Sequence, residues 1–129
     1  MMAAESPPAG PRIAIEVTQP GPPAVVVVAG EVDLATAPRL KDVLVRAIEQ
    51  AKTVIVDLSA ATYMDSTGLG VLIGSLKHAR ELGGDVKLAG LLPRVRRVFS
   101  ITKIDKVFDI YPSVEEALLR DQAEGGIAS

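Results

Sequence analysis

Short apolar runs dominate the hydropathy pattern of the chain and predict its buried strands. Residues 24–29 (AVVVVA) and 53–58 (TVIVDL) are rich in β-branched side chains, which is typical of strands covered on both faces. Residues 13–17 alternate apolar and polar side chains and predict a half-buried strand. Shorter strands are predicted at 86–90 and 106–111.

Apolar residues spaced by three and four positions predict four helices among these strands. They cover about 37–50, 66–82, 93–101 and a short segment from Ser113 to near Arg120. Residues 30–36 and 59–65 are predicted loops, and Thr36 is the predicted N-cap of the first helix. Strands that alternate with helices favour parallel pairing. We therefore expect an α/β fold with a mixed, mostly parallel sheet of about five strands and about four helices.

One folded domain is expected to account for most of the 129 residues, because this length suits a single core and is short for two. Residues 1–11 are rich in Pro, Ala and Gly and predict a flexible N-terminal arm. The domain is expected to cover residues 12–120, and the polar, Gly-rich residues 121–129 predict a flexible C-terminal tail.

Composition excludes several classes of function. Hydrophobic residues make up 48%, which excludes a disordered chain, and the absence of Cys excludes disulfides, thiol nucleophiles and thiolate metal sites. A net charge of −2 with 3% aromatic residues argues against binding to nucleic acid or to anionic membranes. No apolar run approaches the ~20 residues needed to span a bilayer, and the N-terminus lacks the apolar core of a signal peptide. We expect a cytoplasmic protein.

The segment 63–76 (YMDSTGLGVLIGSL) is the strongest candidate for a functional site. It follows a buried strand and opens a helix, where functional groups of α/β proteins collect. Ser66 is placed to cap that helix, and the free amides and positive dipole there would also accommodate a phosphate. Gly68 and Gly70 are poor helix formers and indicate close approach of another molecule. The alternative is an ordinary N-cap, with glycines that serve helix–sheet packing.

The segment 30–33 (GEVD) is a second candidate, since it follows a strand expected to neighbour residues 53–58. Its carboxylates, Glu31 and Asp33, could then share a rim with Asp65 and Ser66. A phosphate at that rim would meet like charge. A solvated turn is the alternative.

Enzymatic and ligand-binding motifs are weak elsewhere in the chain. Ser66 is not in a G-x-S-x-G nucleophile elbow, and a Ser-His-Asp triad would have to use the single His78. The glycines match neither a P-loop nor a dinucleotide fingerprint, and no metal-ligand spacing is present. A basic cluster at Arg94, Arg96 and Arg97 is either a solvated helix face or a partner contact.

Residues 30–40 (GEVDLATAPRL) and 54–80 (VIVDLSAATYMDSTGLGVLIGSLKHAR) together resemble bacterial anti-sigma factor antagonists of the STAS domain family. The resemblance extends from about residue 12 to 120. It implies a single STAS domain that binds partners, is not an enzyme and needs no cofactor or metal. In this family D-S-[ST]-G carries a phosphorylated serine, which falls on Ser66 here. Thr67 stands where many members have a second Ser and is a lesser alternative site.

The resemblance also implies a partner switch. The unphosphorylated protein would bind a serine kinase that is itself an anti-sigma factor, and so free the sigma factor for transcription. The kinase would then phosphorylate Ser66 with ATP and dissociate, and a PP2C-type phosphatase would reset the protein. The residues expected to contact the partner are Glu31, Asp33, Asp65, Ser66, Thr67, Gly68, Leu69, Gly70 and Gly74.

Two other functions stay open at this point. In the first, the chain is a STAS scaffold subunit of a transport or stress-sensing assembly, and Ser66 is only a helix cap. In the second, it binds a nucleotide or another small ligand.

Overall fold

The computed structural model describes residues 12–128, with side chains described for residues 12–124. The predicted arm at residues 1–11 lies outside the described residues. The elements in chain order are β1 (Ile13–Gln19), β2 (Ala24–Val32), α1 (Ala37–Ala51), β3 (Thr53–Met64), α2 (Ser66–Glu81), β4 (Asp85–Ala89), α3 (Pro93–Ile101), a single 3-10 turn (Ile104–Lys106), β5 (Asp109–Tyr111) and α4 (Val114–Ala128).

All five strands join one sheet in the order β1-β2-β3-β4-β5. β1 is antiparallel to β2, and the other three neighbouring pairs are parallel. Each parallel pair is connected by one helix, which returns the chain from the carboxyl end of one strand to the amino end of the next. The predicted α/β fold, with a mostly parallel sheet of five strands and four helices, is confirmed for the described residues.

Helices cover both faces of the sheet. Successive strand residues point to opposite faces, so each strand contributes side chains to both sides. α1, α2 and α3 pack on one face around a large aliphatic core that includes Val26 and Val56. α4 packs on the other face, where Ala117 meets Val25 and Ile55. The middle of β2 and β3 is therefore buried on both sides, as the apolar runs predict.

β3 is longer than the sequence predicts. The prediction that residues 59–65 form a loop is wrong for residues 59–64, which continue the strand to Met64. The predicted loop at residues 30–36 is likewise wrong for residues 30–32, because β2 continues to Val32. The two extensions pair in parallel register, with Val32 opposite Met64. This partner supplies the backbone hydrogen bonds and buries Ala61 and Met64, although the segment carries little β-propensity of its own.

The last two elements also differ from their predicted bounds. β5 starts at Asp109 rather than at residue 106, because the 3-10 turn occupies residues 104–106. The prediction that the last helix ends near Arg120 is wrong, since α4 continues to Ala128. Its added turns carry Glu124, which binds a lysine on the sheet.

That lysine, Lys87 on β4, is buried beneath α4 with its ammonium paired. Its Nζ donates to Glu124 Oε1 at 2.9 Å and lies 3.6 Å from Asp121 Oδ1 and 5.9 Å from the Tyr111 ring centroid. Burial lowers the pKa of Lys87, but the hydrogen bond to Glu124 and the neighbouring negative charges outweigh it and hold the pKa above its ordinary value of 10.5.

We expect the stabilising contribution of Lys87 to be lost at high pH. A raised pKa in the folded state favours folding fully below pH 10.5 and ceases to do so as pH rises through the folded-state value. The difference in unfolding free energy between the parent and Lys87→Met should therefore narrow above pH 10.5, as measured by urea titrations. The double variant Asp121→Asn/Glu124→Gln is the matched control. It should be less stable than Lys87→Met at neutral pH, since it leaves a buried ammonium without its partners. The reverse order would contradict the prediction.

Among residues 12–128, no helix combines the length and the apolar character needed to cross a membrane.

Candidate functional site

The carboxyl ends of β2 and β3 lie side by side and bring the two candidate segments together. Glu31 pairs with Tyr63 in the parallel register, and the Asp65 amide donates to the Val32 carbonyl at 3.1 Å. The predicted adjacency of GEVD and DST is thereby confirmed. We call this edge of the sheet, with the residues that follow each strand up to Thr36 and Thr67, the carboxyl rim.

Asp65 is the residue that caps α2. Its Oδ1 accepts hydrogen bonds from the amides of Thr67, at 2.9 Å, and Gly68, at 3.2 Å. The prediction that Ser66 caps the helix is wrong. The N-cap is Asp65, one residue earlier in the chain. Ser66 is instead the first helical residue and is exposed. Within the described side chains, its hydroxyl forms no hydrogen bond.

We expect Asp65→Ala to lower the free energy of unfolding by about 1 kcal/mol, the usual effect of losing an N-cap. Asp65→Asn should remain within a few tenths of a kcal/mol of the parent, since an amide oxygen can accept the same bonds. Urea denaturation of both variants, with Ser66→Ala as control, measures the difference. If Ser66→Ala lost as much stability as Asp65→Ala, the assignment of the cap would be refuted.

On β2's side of the rim, Asp33 holds a tight turn before α1. Its Oδ1 accepts from the amides of Ala35, at 3.0 Å, and Thr36, at 3.1 Å. The buried Thr36 hydroxyl donates to the Glu31 carbonyl at 2.8 Å and accepts from the Asp33 amide at 2.8 Å. Thr36 is the N-cap residue of α1, as predicted, but its hydroxyl makes no capping bond to the helix and instead ties the loop to the end of β2. Glu31 is exposed and Asp33 half-buried.

A groove of about 710 Å³ runs between α1 and α2 and starts at Ser66. At the rim end it is lined by Ser66, Thr67 and Lys41, and at the far end by Glu49 and His78, whose Oε2 and Nε2 are 3.6 Å apart. The rest of its lining is small or apolar and consists of Val45, Gly70, Val71, Gly74 and Ser75.

The glycines of α2 divide into two kinds. A Cβ on Gly68 would lie 2.7 Å from Val32 Cγ1 and 2.8 Å from Met64 Cγ, so this glycine serves packing of the helix on the sheet. A Cβ on Gly70 or Gly74 would meet nothing within 4 Å. These two open onto the groove and lower helix propensity without a packing reason inside the described chain.

The predicted partner-contact residues thus fall into two groups. Gly68 and Leu69 are buried, so the expectation that they contact a partner does not fit the structure. The others, Glu31, Asp33, Asp65, Ser66, Thr67, Gly70 and Gly74, reach the surface on the carboxyl rim or the groove. The sequence analysis missed six groove residues, which are Lys41, Val45 and Glu49 on α1 and Val71, Ser75 and His78 on α2. The four-residue spacing of Lys41, Val45 and Glu49 on α1, and that of Ser66, Gly70, Gly74 and His78 on α2, was visible in the sequence. Only the structure shows that these two stripes face each other.

A hydrolytic triad has no geometric basis. His78 lies twelve residues beyond Ser66 on α2, which is about 18 Å along a helix. Within the described residues, no group of three or more His, Asp or Glu side chains is arranged to hold a metal ion. The arrangement instead offers an exposed hydroxyl on a rigid helix start, next to carboxylates and a groove.

Comparisons with known proteins point to one family. Residues 14–117 match the family model of the STAS domain. The chain is 42% identical over 83 residues to the anti-sigma-B factor antagonist of Bacillus subtilis, covering 64% of this chain and 76% of that protein. It is 40% identical over 86 residues to the protein of the same name in Listeria monocytogenes, covering 66% of this chain and 75% of the relative.

Among solved structures, an anti-sigma factor antagonist from Mycobacterium paratuberculosis superposes with a TM-score of 0.75 at 29% identity, over 84% of this chain and 92% of that one. The unphosphorylated anti-sigma factor antagonist SpoIIAA shares the fold, with a TM-score of 0.70 at 23% identity over 86% and 96% of the two chains.

Proposed function

Because the chain belongs to the STAS domain family, we propose that it is an anti-sigma factor antagonist whose binding is switched by phosphorylation at Ser66. In its unphosphorylated form it binds an anti-sigma factor that is also a serine kinase, and the sigma factor is released. The names of its relatives support antagonism, since those at 40–42% identity are anti-sigma-B factor antagonists. The chain acts in the cytoplasm as ligand and substrate rather than as an enzyme.

The observation that carries this proposal is the accessibility of the Ser66 hydroxyl. It is exposed at the first position of α2, and Asp65, not Ser66, satisfies the helix amides. A kinase can therefore reach the hydroxyl and modify it without unfolding the helix start. Thr67 is half-buried, and its amide is held by Asp65, which makes it the less accessible acceptor.

A phosphate on Ser66 would change the surface more than the fold. It adds a charge of about −1.5 to −2 at a rim that already carries Asp33 and Asp65. The positive end of α2, and Lys41 across the groove, favour an anion at this position within the chain. A partner surface shaped for a neutral hydroxyl must instead desolvate and oppose the new charge. Release of the partner follows without a large conformational change.

Phosphorylation by the cognate kinase with ATP tests the site, with intact and fragment masses as the readout. We expect one phosphate on the parent and on Thr67→Ala, none on Ser66→Ala, and removal by a PP2C-type phosphatase. A phosphate that persists in Ser66→Ala and is lost in Thr67→Ala would move the site to Thr67. A parent that takes up no phosphate would refute the switch and favour the scaffold alternative.

A further inference from the structure

A second surface, away from the groove, carries concentrated positive charge. We call it the α3 basic surface, and it is formed by the exposed side chains of Arg94, Arg96, Arg97, Lys103 and Lys106. Among residues 12–124, none of these five cations is paired with a carboxylate. Asp105 is the one acidic residue of the segment, so residues 94–106 have a net charge of +4 in a chain of −2. The remainder of the chain therefore has a net charge of −6.

The arginines lie where helix physics disfavours them. Arg94, Arg96 and Arg97 lie within the first five positions of α3, near the positive end of its dipole, and no acidic residue stands in the first turn. Arg94 and Arg97 are also three residues apart, a spacing at which like charges repel. Side chains that weaken their own helix and pair with nothing in the described chain point to a role outside the fold.

Apolar side chains stand among these cations. Ile101 is 73% exposed and Val107 44% exposed, and Ile101 shares one helical stripe with Arg94 and Arg97. The aromatic residues of the region, Phe99 and Phe108, are buried, so the surface offers no platform for stacking bases. The −6 charge of the rest of the chain opposes extended polyanions such as duplex DNA or an anionic membrane.

We propose that the α3 basic surface docks an acidic segment of a partner protein, in which Asp or Glu residues are interspersed with aliphatic ones. The carboxylates pair with Arg94 and Arg97, and an aliphatic side chain covers Ile101. This docking is independent of the proposed Ser66 switch, because no residue of α3 lines the groove at Ser66.

An NMR titration of the full chain with a synthetic peptide of Glu, Leu and Ser tests the proposal, with a peptide carrying Lys in place of Glu as control. We expect shift changes confined to residues 94–107. Arg94→Gln/Arg97→Gln should lower the affinity by about tenfold. Arg46→Gln/Lys77→Gln, which removes two exposed cations from α1 and α2, should change it by less than about twofold.

Thermal unfolding supplies a second readout. Because Arg94 and Arg97 oppose the dipole of α3, the Arg94→Gln/Arg97→Gln variant should melt about 2 °C above the parent. A lower melting temperature would show that the arginines stabilise the fold and would overturn the proposal. Equal binding of the Lys peptide, shifts spread over the whole surface, or tighter binding to phosphatidylglycerol vesicles or a DNA duplex would overturn it as well.

Discussion

Glutamate in place of Ser66 is expected to weaken binding of the anti-sigma factor kinase by about 10²–10³-fold, equivalent to about 3–4 kcal/mol. The substitution puts a full negative charge at an exposed position on the rim that carries Asp65 and Asp33, where the proposed partner would dock. Ser66→Ala removes only a hydroxyl that forms no hydrogen bond within residues 12–124, so its affinity should stay within about threefold of the parent. Isothermal titration calorimetry with the purified kinase measures all three proteins.

Gln50→Glu is the matched control for this experiment. It adds the same charge at an exposed position near the end of α1, away from Ser66 and outside the groove lining. We expect it to change the affinity by less than about twofold, since an exposed charge beyond the contact is screened by salt. Equal binding of the parent, Ser66→Ala and Ser66→Glu would end the proposal that charge at this position controls docking.

Alanine at Gly68 should lower the free energy of unfolding by about 2 kcal/mol. The added methyl would overlap the side chains of Val32 and Met64, both buried at the ends of their strands, and neither can move freely. Alanine at Gly74 has the opposite expected sign, a gain of about 0.5–1 kcal/mol, because its Cβ would enter open space and improve helix propensity. Urea denaturation of the two variants compares the same chemical change six residues apart in one helix.

Gly70→Ala separates stability from binding. It should also raise the free energy of unfolding by about 0.5–1 kcal/mol, because a Cβ there meets no other atom. It narrows the groove next to Ser66, however, so the affinity for the kinase should fall. A loss of stability in Gly70→Ala, or a gain in Gly68→Ala, would contradict the division of the glycines into packing and groove positions.

The fold could be predicted where a pattern repeats within one element. The β-branched runs of β2 and β3 and the apolar spacing of α1 and α2 could be recognised in the sequence, because burial on both faces leaves a continuous apolar run and burial on one face leaves a periodic one. Residues 59–64 left no such trace, since their strand structure depends on pairing with the end of β2. The burial of Lys87 could not be predicted from its own strand, because the carboxylates that pair with it lie on α4, more than thirty residues later in the chain.

The candidate site could be located from the sequence, but not its internal roles. Asp65 and Ser66 are both good N-cap residues, and a shift of one position decides which side chain holds the helix and which is free. Gly68, Gly70 and Gly74 look alike in the sequence. Only the positions of Val32 and Met64, one of them more than thirty residues away, separate the glycine that the fold requires from the two that open onto the groove.

Asp65 caps α2, and Ser66 is exposed beside it; these separate roles have an evolutionary consequence. The carboxylate of Asp65 accepts the capping hydrogen bonds at the start of α2, so the helix start does not depend on the neighbouring Ser66 hydroxyl. Under the proposed phosphorylation switch, selection can adjust how fast position 66 is phosphorylated and dephosphorylated without changing the stability of the fold. Substitutions that change the strength of the signal need not then change the abundance of the protein.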